Sequence, residues 1–276
     1  MTKSTPVSPK PKGLNSGINI HRASFSYTGK HGTVQALSDV SLTVESGSFL
    51  AIVGRSGSGK STLLRLIGGL AQPTEGTVRV NGQTVRAAQP QVRFVPQDYT
   101  QSLLPWATVE DNVRFGVRHS VSADPHPEHT VRRMIELVGL SHAARRYPKE
   151  LSGGMQQRVA IARALASRPD VLLLDEAFGS VDALSRASLQ DTILDLWRSL
   201  GFTAILVTHD IDEAIYLADR VVVMDAHGRG LAADEPIDLQ RPRHQVRTRE
   251  QPAYLNHRRV LLNHVLTSQP EAEVPV

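Results

Sequence analysis

Two textures of apolar and polar residues alternate along this chain. Continuous apolar runs bounded by turn residues, Phe49-Leu50-Ala51-Ile52-Val53, Val171-Leu172-Leu173-Leu174, Thr203-Ala204-Ile205-Leu206-Val207 and Arg220-Val221-Val222-Val223-Met224, predict strands of a parallel sheet buried on both faces. Shorter β-prone stretches over 18–27 and 40–53, broken by Gly, Asp and Ser, predict an antiparallel edge sheet that feeds the strand at 49–53. Gly76-Thr77-Val78-Arg79-Val80 predicts a strand that ends in the turn Asn81-Gly82, and 91–96 adds one more short strand. The period then changes. Val131, Met134, Ile135 and Val138 recur at helical spacing and mark an amphipathic helix within a mostly helical stretch from about Asp98 to Ala166. A later stripe, Leu189, Ile193, Leu196, Trp197 and Leu200, predicts a helix that puts Trp197 in the core, with no functional role.

These elements imply an α/β fold with a mixed sheet core, an antiparallel β edge subdomain and a helical insert. We expect a disordered N-terminal arm over 1–17, a main domain over 18–239 with the insert at about 98–166, and an Arg-rich tail over 240–276. The arm is rich in Lys, Ser, Thr and Pro and has no apolar stretch of the signal-peptide kind. The tail is Arg-, Pro- and His-rich with weak periodicity, too short for an added regulatory domain.

Composition narrows the classes. At 276 residues and 40% hydrophobic, the chain can bury a substantial core. It has no cysteine, which excludes disulfides, thiolate metal sites and a cysteine nucleophile and agrees with a reducing compartment. No apolar run approaches the ~18 to 20 residues that cross a bilayer. The formal net charge of +4 is spread along the chain, mostly as Arg, which reads as scattered surface charge; no nucleic acid is expected as a partner.

The chemistry begins where the strand at 49–53 ends. Gly54-Arg55-Ser56-Gly57-Ser58-Gly59-Lys60-Ser61-Thr62 fits G-x-x-x-x-G-K-[ST] and runs into the apolar helix that starts at Leu63. The glycines let the loop wrap a phosphate with backbone N–H groups, Lys60 brings a positive charge, and Ser61 offers a hydroxyl to Mg²⁺. A serine-rich surface turn is the competing reading, and the strand and helix on either side argue against it. The run Leu172-Leu173-Leu174-Asp175-Glu176 ends a buried strand in two acids. Asp175 there suits Mg²⁺, and Glu176 suits an attacking water beside a γ-phosphate.

Leu151-Ser152-Gly153-Gly154-Met155-Gln156-Gln157-Arg158 opens a helix with a hydroxyl and free N–H groups, which suits an anion and equally suits a plain N-cap. This octapeptide resembles the signature of ATP-binding cassette proteins, and the other elements of that family follow in order over about Ile18 to Leu239. Tyr27 resembles the aromatic residue stacked on adenine, Gln97 the Q-loop glutamine, Ser180-Val181-Asp182 the D-loop, and His209 in Val207-Thr208-His209-Asp210 the switch histidine. Taken singly, Tyr27 also reads as an edge-strand aromatic, Gln97 as a turn residue and His209 as a structural histidine. The resemblance implies a P-loop ATPase using ATP and Mg²⁺, with Ser61, Gln97 and Asp175 at the metal and Glu176, His209 and Lys60 catalytic. It also implies a homodimer in which Ser152, Gly153, Gly154 and Gln156 of one copy close on the nucleotide held by the other.

The segment from Gln101 to Val113 contains Leu103-Leu104-Pro105-Trp106 just after Gln97, where cassette subunits receive a helix of a membrane subunit. An aromatic anchor suits such docking; packing of Trp106 inside the insert is the alternative. This stretch, with 175–186 and 212–220, resembles the importer branch for nitrate, taurine and aliphatic sulfonates, though Ala177 departs from the usual Pro and Ser180-Val181 from Ala-Leu. Implied partners are two transmembrane permease subunits, docking near Gln97 to Trp106, and indirectly a periplasmic or extracellular substrate-binding protein. The implied location is peripheral, on the cytoplasmic face of the cell inner membrane. Two rivals stand beside this reading: a soluble cassette ATPase acting on nucleic acid or ribosomes, which the short span from Lys60 to Asp175 disfavours, and a small-molecule kinase, which leaves Ser152-Gly153-Gly154 and His209 unexplained.

Overall fold

Residues 49–53 are buried along their whole length because alternate side chains enter different cores. Phe49, Ala51 and Val53 belong to one apolar cluster, whereas Leu50 and Ile52 belong to the other. The computed structural model describes residues 17–29, 32–120, 123–179, 182–226 and 229–267. In chain order the strands are β1 (Gly17–Gly29), β2 (Gly32–Glu45), β3 (Phe49–Val53), β4 (Glu75–Val80), β5 (Gln83–Thr84), β6 (Val92–Val95), β7 (Val171–Asp175), β8 (Thr203–Val207), β9 (Arg220–Met224) and β10 (Leu231–Pro236). The helices are α1 (Lys60–Ile67), α2 (Val109–Arg118), α3 (Pro127–Leu137), α4 (Gly153–Ala166), α5 (Ala183–Leu200), α6 (Ile211–Leu217) and α7 (Pro252–Thr267).

The main sheet has the order β10-β9-β3-β8-β7-β6, parallel except for the antiparallel edge pair β10 and β9. A separate antiparallel sheet, β2-β1-β4-β5, covers one side, with α1 between it and the main sheet. Asn81 and Gly82 both have positive φ, at 49° and 77°, as the tight turn joining β4 to β5 requires. The other face carries the insert, with α2 to α4, and then α5 to α7, whose apolar stripes join Phe49 and Val53 in one core. Within the insert, α2 lies close against α4: a Cβ on Gly116 would sit 2.1 Å from the Arg163 carbonyl oxygen. Val131, Met134, Ile135 and Val138 are buried as their spacing predicts.

The structure corrects the readings of Gly17, Leu200 and Trp197 and adds to those of the tail and Trp106. Gly17, placed in the arm, opens β1, where its N–H donates to Asn81 Oδ1 and its carbonyl accepts from Asn81 N; the rest of the arm lies outside the described residues. The tail forms a helix, α7, anchored by buried Tyr254, His257 and Leu261. Leu200 lies exposed at the last turn of α5, and Trp197 is only partly buried, stacked edge-on against Phe49 with the Arg241 guanidinium 4.5 Å above its ring. Trp106 does not pack inside the insert: it is 75% exposed. Among the described residues no helix is long and apolar enough to cross a membrane.

Candidate nucleotide site

The glycine loop and the predicted metal and catalytic residues converge at one end of the main sheet because each follows the C-terminal end of a parallel strand. Gln97 follows β6, Asp175 and Glu176 end β7, His209 follows β8, and the loop from Gly54 to Gly59 follows β3, in four adjacent strands. Open α/β sheets bind ligands in the crevice at these strand ends.

The glycine loop needs its glycines. Gly54, Gly57 and Gly59 have φ of 153°, 83° and 89°, conformations that side chains resist. A Cβ on Gly59 would also lie 2.5 Å from the Ala36 carbonyl oxygen and 2.6 Å from Leu37 Cδ2. Arg55, Ser56 and Gly57 face solvent, whereas Ser58, Lys60 and Thr62 are buried. Lys60 Nζ donates to the carbonyls of Gly54 and Arg55, at 2.9 and 2.7 Å, so the loop is closed around the ammonium group. Burial lowers the Lys60 pKa, and the carboxylates of Glu176 and Asp175 oppose that shift. The cradle therefore holds a cation next to backbone N–H groups, a fit for a polyphosphate.

Ser61 Oγ donates to Asp175 Oδ1 at 2.9 Å. Burial pushes the Asp175 carboxyl up; the Ser61 bond pulls it down, and Glu176 pushes it up further. A hydroxyl and a buried carboxylate side by side form an oxygen donor set of the kind hard cations take. Glu176 departs from the strand with φ 45°, strained for a side chain of its type, while its N–H still donates to Val207 O at 2.9 Å. The twist delivers its carboxylate to two neighbours. Gln97 Nε2 donates to Glu176 Oε2 at 3.0 Å, and His209 Nδ1 stands 3.4 Å from the same oxygen. The amide of Gln97, a residue expected at the metal, thus lies within hydrogen-bond reach of the acid. A cavity of about 50 Å³ opens beside them, with Glu176, Arg186, Thr208, His209, Asp210 and Glu213 in its wall.

The remaining predicted residues sit at helix starts or on the loop's flank. Ser152 caps α4 by accepting from Met155 N and is exposed together with Gly153. Gln156 turns inward, its amide donating to the carbonyls of Pro148 and Leu151 at 3.0 and 3.2 Å, so it braces the turn before Ser152 and Gly154. Asp182 caps α5 through Ser185 N, and that N–H holds its carboxyl below the usual range. Ser180 and Val181 of the expected D-loop lie outside the described residues. Tyr27 is 43% exposed, and its hydroxyl shares a hydrogen bond of 3.1 Å with Thr62 Oγ1, which sets the ring beside the glycine loop.

Several residues of the site's surroundings escaped sequence reading. Glu213, buried in α6, accepts from Gln190 Nε2 at 3.0 Å, and burial raises its carboxyl to about 7. Asn112 is fully buried and bonds to the backbone of Leu104, Ala107 and Thr108, fixing the loop that carries Trp106. Arg243 of the tail, expected among scattered surface charges, is 6% exposed. A polar residue on the inward stripe of a helix was the available signal for Glu213 and Asn112; nothing in the composition of the tail singles out Arg243.

Comparison with known proteins agrees with this arrangement. The ABC transporter family model matches residues 37–179. The chain is 44% identical over 230 residues to the nitrate import ATP-binding protein NrtD of Synechococcus elongatus, covering 81% of this chain and 82% of that protein. It is also 44% identical over 229 residues to the aliphatic sulfonates import ATP-binding protein SsuB of Bacillus subtilis, covering 83% and 87%. Among solved structures it resembles the ATP-binding cassette MJ0796, seen as a dimer in a post-hydrolysis state bound to ADP and Pi, with a TM-score of 0.71 and 29% identity over 80% of this chain and 98% of that one. Ordered motifs, strand-end geometry and relatives of matching length lead to one assignment: the chain belongs to the ABC transporter family, as an ATP-binding protein that hydrolyses ATP.

Proposed function

We propose that this chain is the energy-coupling subunit of an importer for a small oxyanion of the nitrate, taurine or aliphatic sulfonate kind, working as a homodimer beneath two transmembrane permease subunits on the cytoplasmic face of the cell inner membrane. The observation that carries the catalytic part is the placement of Glu176 between Gln97 and His209 at adjacent strand ends. Glu176 takes the proton of the attacking water, Gln97 orients its carboxylate, and His209 contacts the γ-phosphate. Lys60 stabilises phosphate charge from within the glycine loop, and Tyr27 stacks on the adenine. Ser61 and Asp175 would hold Mg²⁺, which when bound neutralises charge on the phosphate oxygens.

Exposed Ser152 and Gly153, with Gly154 behind them, leave the N-terminus of α4 open to the nucleotide of a second copy. The dimeric state of the cassette MJ0796 supports this arrangement. Exposed Trp106, carried on a loop that Asn112 fixes, supports docking of a permease helix. A periplasmic or extracellular binding protein would deliver the solute to the permeases. The equal identity to nitrate and sulfonate import proteins supports the oxyanion class.

Glu176→Gln tests the reading. Hydrolysis should fall by about a thousandfold, and a dimer retaining ATP should accumulate. Normal turnover by this variant would remove Glu176 as the base.

A further inference from the structure

Helix α6 has only seven residues and starts immediately after His209 and Asp210. A helix so short is not stable by itself, so its orientation is set by what holds its ends. At the N-terminus the Asp210 carboxylate accepts from Glu213 N at 3.0 Å. At the C-terminus the carbonyls of residues 215–218 face a buried interior and need donors. The tail supplies them. Arg243 Nη1 donates to the carbonyls of Ile215, Tyr216 and Ala218 at 2.9, 3.0 and 2.7 Å. Arg241 Nη2 donates to Leu217 O at 2.7 Å and pairs with Asp219 Oδ1.

The grip continues along the helix. Tyr254 OH donates to Asp212 at both its carbonyl and its carboxylate, at 3.0 and 2.9 Å, and Arg258 pairs with the same carboxylate. Tyr216 OH and Gln245 Nε2 meet on Asp191 of α5, at 2.6 and 2.9 Å. Leaving Arg243 buried beside Arg241 has a cost, since burial and that second guanidinium lower its pKa to about 10. A solvent-facing tail would not carry such a residue.

We propose that Arg241 and Arg243 are positioning residues for His209: the tail clamps α6 from its C-terminus, and the Asp210 cap transmits that placement to the imidazole beside Glu176. The tail is then a working part of the nucleotide site. This rests on the reading of His209 as the γ-phosphate contact, and it predicts a defect confined to recognition of that phosphate. The glycine loop, on β3 and α1, stays intact.

The experiment measures ATP and ADP affinities of the full chain in the Glu176→Gln background, where ATP survives. His209→Ala should lower the preference for ATP over ADP by about tenfold, one hydrogen bond to a charged group. Arg243→Lys and Arg241→Ala should each lower the same ratio several-fold, leave ADP affinity unchanged, and add nothing once His209→Ala is present. If Arg243→Lys fails to fold, Arg241→Ala and Tyr254→Phe carry the test, because Arg241 is partly exposed and Tyr254→Phe removes only a hydroxyl from the clamp. An unchanged ratio in the tail variants, or losses that multiply with His209→Ala, would overturn the clamp. A His209→Ala variant with the parent ratio would instead remove His209 as the phosphate contact, and the clamp's role with it.

Discussion

Ser61 and Asp175 lie 114 positions apart in sequence, yet the serine hydroxyl donates to the aspartate carboxylate at 2.9 Å. The bond joins the start of α1 to the end of β7 across the intervening strand β8. Removing the hydroxyl leaves a buried carboxylate whose charge has lost its main hydrogen bond.

Ser61→Ala should therefore weaken Mg²⁺-dependent ATP binding and lower hydrolysis by about a hundredfold, on the order of 2 to 3 kcal/mol for a bond to a charged group. Titrating Mg²⁺ at fixed ATP checks this. The apparent Mg²⁺ affinity should fall while binding of metal-free nucleotide stays close to the parent value.

Glu213 makes stability depend on pH in a defined sense. Its folded pKa, about 7, lies above its ordinary 4.5, so the folded chain holds this proton more tightly than the unfolded chain does. The group favours folding fully below about pH 4.5, and that contribution is lost as pH rises through about 7. Glu213→Gln cannot ionise. Relative to the parent, its stability should improve by about 2 to 3 kcal/mol between pH 4.5 and pH 8, read from urea denaturation at both values. A difference independent of pH would mean that folding leaves the Glu213 carboxyl at its ordinary pKa.

Asn112 and Trp106 should separate folding from docking. Asn112→Ala leaves the buried backbone of Leu104, Ala107 and Thr108 short of partners and should cost about 3 kcal/mol of stability. Trp106→Ala should stay within about 0.5 kcal/mol of the parent, as expected for an exposed side chain. In a reconstituted transporter, Trp106→Ala should reduce stimulation of ATP hydrolysis by the permeases while leaving the isolated subunit's rate unchanged. Equal loss in both settings would place Trp106 outside the docking surface.

Most of the sheet was legible in sequence because its strands are continuous apolar runs, and such runs report burial on both faces. The glycine loop and the Asp175-Glu176 pair were legible for a different reason: their chemistry forces particular residues into fixed local spacing. Contacts between distant segments were not. Nothing near Gln97 indicates that its amide meets Glu176, and nothing in Arg241-Pro242-Arg243 indicates that both guanidinia reach the end of α6. Trp106 illustrates the limit from the other side. Its neighbours Leu103 and Leu104 are compatible with either a core or a surface site, and only the Asn112 bonds settle which way the loop turns.

The strands that carry the site are each hydrogen-bonded to a neighbour on both sides, except β6 at the edge, and β3, β7 and β8 are buried throughout. A sheet held this way resists bending, so it serves as a fixed frame for the parts mounted on its end. Displacements at the site are then expected in the turns that follow the strands, such as 208–210, and in the helices packed on the sheet, rather than in the sheet itself. In mechanical terms the frame sets the zero from which both displacements are measured.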